Sequence, residues 1–254
     1  MNGCIIQARM GSTRLPGKVM MKIDANPMLH YVLKQTQQSK IIHSIVVATT
    51  DLEEDDVIEE YVTDFGVKCF RGDKSDVLDR YYQCAKKFSF STITRITSDC
   101  PLIDPEIVDT AIEKFNSGGF DYVTNTLPRT FPYGTEVEVF SFAALEKAWK
   151  NAKKPSEREH VTPYIRNGSE FKIANIRYDS DISHLRWTVD RIEDFNLVKE
   201  IMVRIKKTPI LLGDILELTR KDPQLFQMNK ELIPNEGYLK SLKEDEEFVK
   251  KTSN

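Results

Sequence analysis

Through its first half the chain alternates between short β-rich runs and longer stretches with apolar side chains at every third or fourth position. Residues 4–6, 44–49, 67–70 and 92–96 have the composition and length of buried strands. Between them, 53–65 and 76–88 follow the spacing of amphipathic helices. Pro105 opens a further helix to about 116, at a first turn where proline's missing N–H is not needed. This strand–helix rhythm predicts an α/β fold, a mostly parallel sheet with helices on both faces. Beyond Gly118 and Gly119 the rhythm loosens. Residues 122–124 and 136–140 read as strands around a proline-bearing loop at 127–133, followed by helices at 141–151 and 156–166. Strands at 171–178 and 185–189 then precede a long helix at 192–206.

Length and charge narrow the classes. With 254 residues, one large domain over 1–245 is expected, with 126–183 as a candidate projecting lobe. Residues 246–254 end a highly charged stretch that is expected to fray. Lys and Arg number 36 against 39 Asp and Glu, a formal net charge of -3. That balance gives no support to a nucleic-acid partner. Arg9 interrupts the first apolar run, so a secretory signal core is not expected, and no run is long enough to cross a bilayer. Cys4, Cys69, Cys84 and Cys100 form no Cys-x-x-Cys pair and read as reduced thiols of a cytoplasmic protein. His30, His43, His160 and His184 lack zinc spacing, so metal chemistry would fall to carboxylates.

The most informative segment follows the first strand. Residues 6–18 read IQARMGSTRLPGK, three cations and two glycines in a loop at a strand end. Glycine permits close backbone approach, and exposed N–H groups can cradle phosphate oxygens beside Arg9, Arg14 and Lys18. Five residues separate Gly11 from Gly17, and Val19 follows Lys18, so the segment is not a Walker A loop. The dinucleotide glycine pattern is absent as well.

This loop resembles the signature of the cytidylyltransferases that make CMP-activated acidic sugars, the CMP-KDO and CMP-sialate synthetase group, in its SpsF-type branch of surface-polysaccharide biosynthesis. The resemblance implies a Rossmann-like nucleotidyltransferase fold, a small lobe contributing to dimer contacts, CTP as substrate and Mg²⁺ as cofactor. Within the loop it marks Ala8, Arg9, Gly11, Ser12, Arg14 and Lys18 as nucleotide-binding.

Further motifs sit at strand ends, where open α/β sheets bind ligands. Asp99, in a TSDCPLID segment, resembles the family's metal-binding aspartate; as a residue it could equally cap a helix turn. Asp190 closes LRWTVD and matches the position of the second metal ligand, with helix N-capping as the alternative. The run 71–81 (RGDKSDVLDRY) resembles the SpsF-type base-framing region, which makes Arg71 and Ser75 candidates for the cytosine. Asp76 reads as a cap, and Arg80 as its partner one helical turn on. On the acceptor side, Glu136 is a candidate for sugar hydroxyls, and Arg158 or His160 for a carboxylate. For Arg158, a solvated helix face is the competing reading. The Ser-Gly-Thr-Asp-Arg base loop of true CMP-KDO synthetases is absent, which argues against KDO itself as the acceptor.

The expected activity is Mg²⁺-dependent transfer of CMP from CTP to an acidic sugar or related small-molecule acceptor, with release of pyrophosphate, by a cytoplasmic homodimer. Arg9, Lys18, Asp99 and Asp190 are the expected catalytic residues. A nucleotide-sugar-dependent glycosyltransferase is the first alternative, although Asp99-Cys100-Pro101 breaks the Asp-x-Asp such enzymes carry. A catalytically silent nucleotide-binding homologue is the second.

Overall fold

The computed structural model describes residues 1–252. Strand β1 (Asn2–Gln7) runs into the basic loop, and a short antiparallel pair, β2 (Lys22–Ile23) and β3 (Asn26–Pro27), leads to helix α1 (Met28–Thr36). There follow β4 (Ser44–Thr50), α2 (Asp56–Asp64), β5 (Lys68–Gly72), α3 (Val77–Lys87), β6 (Thr92–Thr97) and α4 (Pro105–Asn116). The second half holds β7 (Tyr122–Thr124), β8 (Glu138–Ser141), α5 (Phe142–Asn151), α6 (Pro155–His160), α7 (Pro163–Asn167) and β9 (Ile173–Asn175). Helices α8 (Ile192–Ile205), α9 (Leu212–Lys221) and α10 (Glu236–Thr252) complete it.

Seven strands form one sheet in the order β5-β4-β1-β6-β8-β7-β9, in which β8 alone runs against its neighbours. Period-two alternation divides the strands between two cores. Ile6, Val47, Ile96, Val123 and Val139 pack with α1, α4 and α8, and Ile5, Val46, Ile93, Tyr122 and Phe140 pack with α3 and α5 on the other face. Both faces are covered, which is why β1 reads as a continuous apolar run. The strand order reverses at β1, with β4 on one side and β6 on the other. Loops leaving the carboxyl ends of β1 and β6 diverge there, and the crevice between them is the place such sheets bind ligands.

Several expected elements differ. The helix expected at 156–166 is two short helices, because Val161 takes φ 71° and Pro163 cannot continue the hydrogen-bond ladder. Only Ile173–Asn175 of the strand expected at 171–178 is paired. Residues 185–189 form no strand; a single bridge ties Arg186 to Tyr133 while Trp187 is fully buried. The strand expected at 136–140 starts at Glu138. The segment 126–183 does not stand off as a unit, since β8 and β9 lie in the central sheet and α5 is docked on α3. There Trp149 stacks on Tyr82 at 4.1 Å and donates to Asp79. The charged stretch expected to fray is helical to Thr252, with Asp245 accepting from the N–H and hydroxyl of Ser156; residues 253–254 lie outside the described residues.

Candidate active site

The basic loop folds back on one carbonyl. Met10 O accepts from the N–H groups of Ser12 and Gly17, at 2.8 and 2.9 Å. Met10 N donates to Asp55, a fully buried carboxylate that also takes Thr50 N, so the loop is pinned to the end of β4. Gly17 sits at φ 69°, the left-handed region open to glycine, and starts the one-turn helix that carries Lys18. Gly11 has no such φ, and its space is limited only by the Glu54 carboxylate.

Asp99 and Asp190 come together through long-range pairing. Val189 N donates to Asp99 O at 2.8 Å, which sets the extended 185–189 segment beside the end of β6. Gly134 backs this segment; its φ is 103°, and a Cβ there would lie 2.6 Å from Thr188 N. Neither aspartate caps a helix. Asp104 caps α4 through Glu106 N and Ile107 N, and Asp194 takes the N–H groups of Asp190 and Arg191 at the start of α8. Neither carboxylate is spent on a cap, and both turn to Lys18 Nζ, at 3.3 Å from Asp99 and 3.1 Å from Asp190. Val189 O accepts a third bond from the same ammonium, at 2.6 Å. Burial pulls the Lys18 ammonium toward neutrality, but the two aspartates outweigh it and raise its pKa. Burial likewise opposes charge on Asp190, and Lys18 and Arg14 overcome it, holding the carboxyl well below the usual range. Arg186 supports Asp190 from behind while paired with the fully buried Asp194.

These groups line a cleft of about 660 Å³, within the range of small-molecule sites. Ala8, Arg9, Ser12, Arg14, Lys18, Asp99, Asp190 and His160 all line it. Others expected there lie elsewhere. Arg71 is engaged by Asp56, Glu59 and the carbonyls of Thr50 and Leu52, a clamp between β5 and α2. Ser75 stands in an exposed turn whose N–H groups go to Asp73. Glu136 binds Arg129 and Gly134 N. Arg158 is neither solvated nor in the cleft; it pairs with Asp76, the cap of α3, and donates to Trp149 O.

A sequence model of the cytidylyltransferases matches residues 3–233. The chain belongs to the cytidylyltransferase family. It is 33% identical over 230 residues to the spore coat polysaccharide biosynthesis protein SpsF of Bacillus subtilis, covering 86% of this chain and 94% of that one. A solved cytidylyltransferase from Leptospira borgpetersenii superposes with TM-score 0.86 at 36% identity, covering 91% of this chain and 98% of the other. A CMP-KDO synthetase solved with CTP shares the fold at TM-score 0.63 and 19% identity, over 80% and 98% of the two chains. The chain is thus a nucleotidyltransferase, and among its described residues no helix is long and apolar enough to cross a membrane.

Several groups lining the cytidylyltransferase cleft were not foreseen as site residues. Arg80 is 2% exposed and has no carboxylate within ion-pair distance among the described residues; Nη1 donates only to Asp73 O, and Nε has no partner. Burial lowers its pKa, and the nearby Arg9 adds to the effect. The i, i+4 spacing pointed to Asp76, but that carboxylate is taken by Arg158. Arg95, reaching the cleft floor from β6, and Arg14 also carry a buried Nε without a hydrogen bond. Three guanidinium side chains lining one cleft suit an anionic, oxygen-rich ligand. Glu159 and α10, including Gly237 and Ser241, also line the cleft, and the first turn of α10 abuts the loop, with Glu236 4.0 Å from Arg14 Nε.

The donor set also fits a divalent cation of the Mg²⁺ type. Two carboxylates converge on one point, where the Lys18 ammonium now stands, and Mg²⁺ is commonly held by one or two carboxylates together with substrate phosphates. No group of three or more acidic, histidine or cysteine ligands exists among the described residues, so substrate oxygens would have to complete the coordination.

Proposed function

We propose that this cytidylyltransferase transfers CMP from CTP to the hydroxyl or other oxygen nucleophile of an acidic sugar or related anionic acceptor and releases pyrophosphate. One observation carries the reading: Arg9, Arg14 and Lys18 meet Asp99 and Asp190 at the switch point of the sheet. Within the cleft each cation rests on an internal carboxylate: Arg9 on Glu159, Arg14 on Asp190, Lys18 on both aspartates. A triphosphate would replace those partners with its own oxygens, and Asp99 and Asp190 would turn to Mg²⁺. When bound, Mg²⁺ would neutralise charge on the α-phosphate and on the departing pyrophosphate. The loop N–H groups of Arg9, Gly11, Thr13 and Arg14, without protein acceptors among the described residues, would add donors to the phosphates. Positioning and electrostatics would supply most of the rate. A role in surface-polysaccharide or glycoconjugate synthesis accords with the name of the SpsF relative, and a cytoplasmic homodimer belongs to the same proposal.

Thermal stabilisation by CTP, UTP, ATP and GTP, each with and without Mg²⁺, tests the nucleotide half. A ligand at 100 times its dissociation constant adds about 2.7 kcal/mol, and the shift is expected for CTP. Pyrophosphate release from CTP across a panel of acidic sugars and phosphorylated alcohols tests the rest. Sugar transfer from a nucleotide-sugar without pyrophosphate would replace this reading with a glycosyltransferase, and CTP binding without turnover with a silent homologue. Asp99→Asn is expected to lower turnover about 100-fold at limiting Mg²⁺; near-normal turnover would refute the metal role.

A further inference from the structure

The cleft wall built by α6 and α10 contains a strained backbone position. Val161 is β-branched and fully buried, yet has φ 71° and ψ -53°. The Thr162 N–H closes a three-residue turn on His160 O at 2.8 Å. A γ-turn of this hand is rare and unfavourable, and such geometry persists only where its surroundings enforce it. Both sides of the turn are held. The Thr162 hydroxyl donates to Glu138, itself paired with Arg95 on the cleft floor, and Arg158 is fixed on Asp76. The turn sets two consecutive residues, Glu159 and His160, into the cleft wall.

There the hydrogen bonds fix a direction. His160 Nε2 lies 2.9 Å from Ser241 Oγ on α10, and Ser241 Oγ lies 2.9 Å from Glu159 Oε2, with Gly237 O at 3.3 Å. A carboxylate and a carbonyl only accept, so the single hydroxyl proton of Ser241 goes to one of them. Ser241 must then accept from His160, which places the ring proton on Nε2 and leaves the lone pair on Nδ1. Nδ1 has no partner among the described residues. The ring is held edge-on to Tyr238, at 5.2 Å. Charged groups around it are Glu159 on its own helix, Arg95 on β6, Glu138 on β8 and Arg166 on α7.

From this arrangement we infer that His160 Nδ1 is the acceptor-side base, oriented by Ser241 and Glu159, and that α10 is thereby part of the active site. The inference rests on the cytidylyl-transfer reading. As the acceptor oxygen forms its bond to the α-phosphorus and the bond to the β-phosphate oxygen breaks, the acceptor's proton passes to Nδ1. The resulting imidazolium is neutralised through Nε2–H, Ser241 and Glu159, and later releases the proton to water. Burial keeps the imidazole neutral, with its pKa down at about 4, so the lone pair is available at neutral pH. The substrate class follows: an acceptor whose nucleophile is a protonated oxygen, such as a hydroxyl.

The first arm needs no acceptor. Imidazole nitrogen NMR, assigned with a His160→Ala variant, should show the neutral Nε2–H form of His160, with Ser241→Ala mixing the two tautomers; a dominant Nδ1–H form in the wild type overturns the inference. In the second arm, CTP affinity of His160→Ala should stay within about two-fold. Its kcat for pyrophosphate release, with the best acceptor of the panel or with water, should fall about 100-fold and recover in part with added imidazole. Ser241→Ala, which retains the ring, should lose less. A kcat within three-fold of wild type, or a loss that imidazole does not restore, overturns it. Failure of the cytidylyl-transfer reading shows separately, as wild-type protein that neither binds CTP nor releases pyrophosphate.

Discussion

At the phosphate-loop end of the cleft the charges come from the loops after β1 and β6 and from Asp190, which follows the extended 185–189 segment bonded beside β6, and Arg14 and Lys18 already rest on buried or half-buried carboxylates. At the α10 end the wall is assembled from two short helices and a C-terminal helix, held by Glu236 on Arg191, Ser241 on Glu159 and Asp245 on Ser156. The first end follows from the sheet, because strands ending at one crevice bring their loops together whatever those loops contain. The second has no strand end behind it and depends on side-chain contacts between helices distant in sequence. The cation and carboxylate cluster is thus placed mainly by loops at the carboxyl end of the sheet, and the His160 wall by side-chain contacts among helices.

The sharpest way to break this contrast is Lys18→Met. It removes the ammonium that two carboxylates share and leaves them facing each other. Breaking a buried pair this way costs about 3–5 kcal/mol, and the partial exposure of Asp99 points to the lower end. Denaturant unfolding should show that loss, with CTP turnover down about 1,000-fold. An unaltered stability would mean that the two aspartates do not depend on Lys18.

Arg80→Met should behave in the opposite way. A buried guanidinium with no carboxylate partner among the described residues is a burden on the free protein, so an apolar replacement of similar length should leave stability equal or higher. CTP affinity should fall roughly 10- to 100-fold, the worth of a charge-assisted hydrogen bond. A stability loss with intact CTP affinity would make Arg80 a structural residue. Calorimetric titration and urea unfolding on one preparation separate the two.

This pair also shows what the sequence can carry. Arg9, Arg14, Lys18, Asp99 and Asp190 were legible because each belongs to a short motif at the end of an apolar run, and the topology of an α/β sheet does the rest. Arg80 was visible but misassigned, since local i, i+4 spacing offered Asp76 and only the fold shows Arg158 occupying it. Arg71 failed for the converse reason: its motif lay beside the right strand, but the acidic face of α2 captured the side chain. The strained turn at Val161 had no local signal at all, because nothing in a valine calls for a positive φ. Such a conformation is imposed by tertiary contacts, here Glu138 on one side and Asp76 on the other.

A smaller effect should appear with pH. His160 titrates at about 4 in the folded protein against an ordinary 6.5, so the unfolded chain binds more protons between those values. Stability should therefore fall on acidification from about pH 6.5 to 4, by roughly 1–2 kcal/mol given that over a quarter of the ring is exposed. Asp190 acts lower. Its depressed pKa contributes stability above the ordinary carboxyl value, which is lost as pH drops further. Unfolding free energies of wild type and His160→Ala across pH 4–7 should differ in slope only in the first window.

The finest comparison needs two variants of one residue, Val161→Ala and Val161→Gly. Both remove the same buried branched side chain apart from one methyl group, so most of the packing loss cancels between them. At an ordinary backbone position glycine is about 0.5–1 kcal/mol less stable than alanine, because its unfolded chain is freer. At φ 71° the alanine Cβ is still strained while glycine is not, and relief of order 1 kcal/mol opposes that penalty. Val161→Gly should thus equal or exceed Val161→Ala in stability, a reversal that packing alone cannot produce. If alanine wins by the usual margin, the turn is relaxed and His160 is not held in place by strain. If glycine wins, the loosened turn should also cost turnover more than CTP affinity, because Lys18, Asp99 and Asp190 hold one another without it.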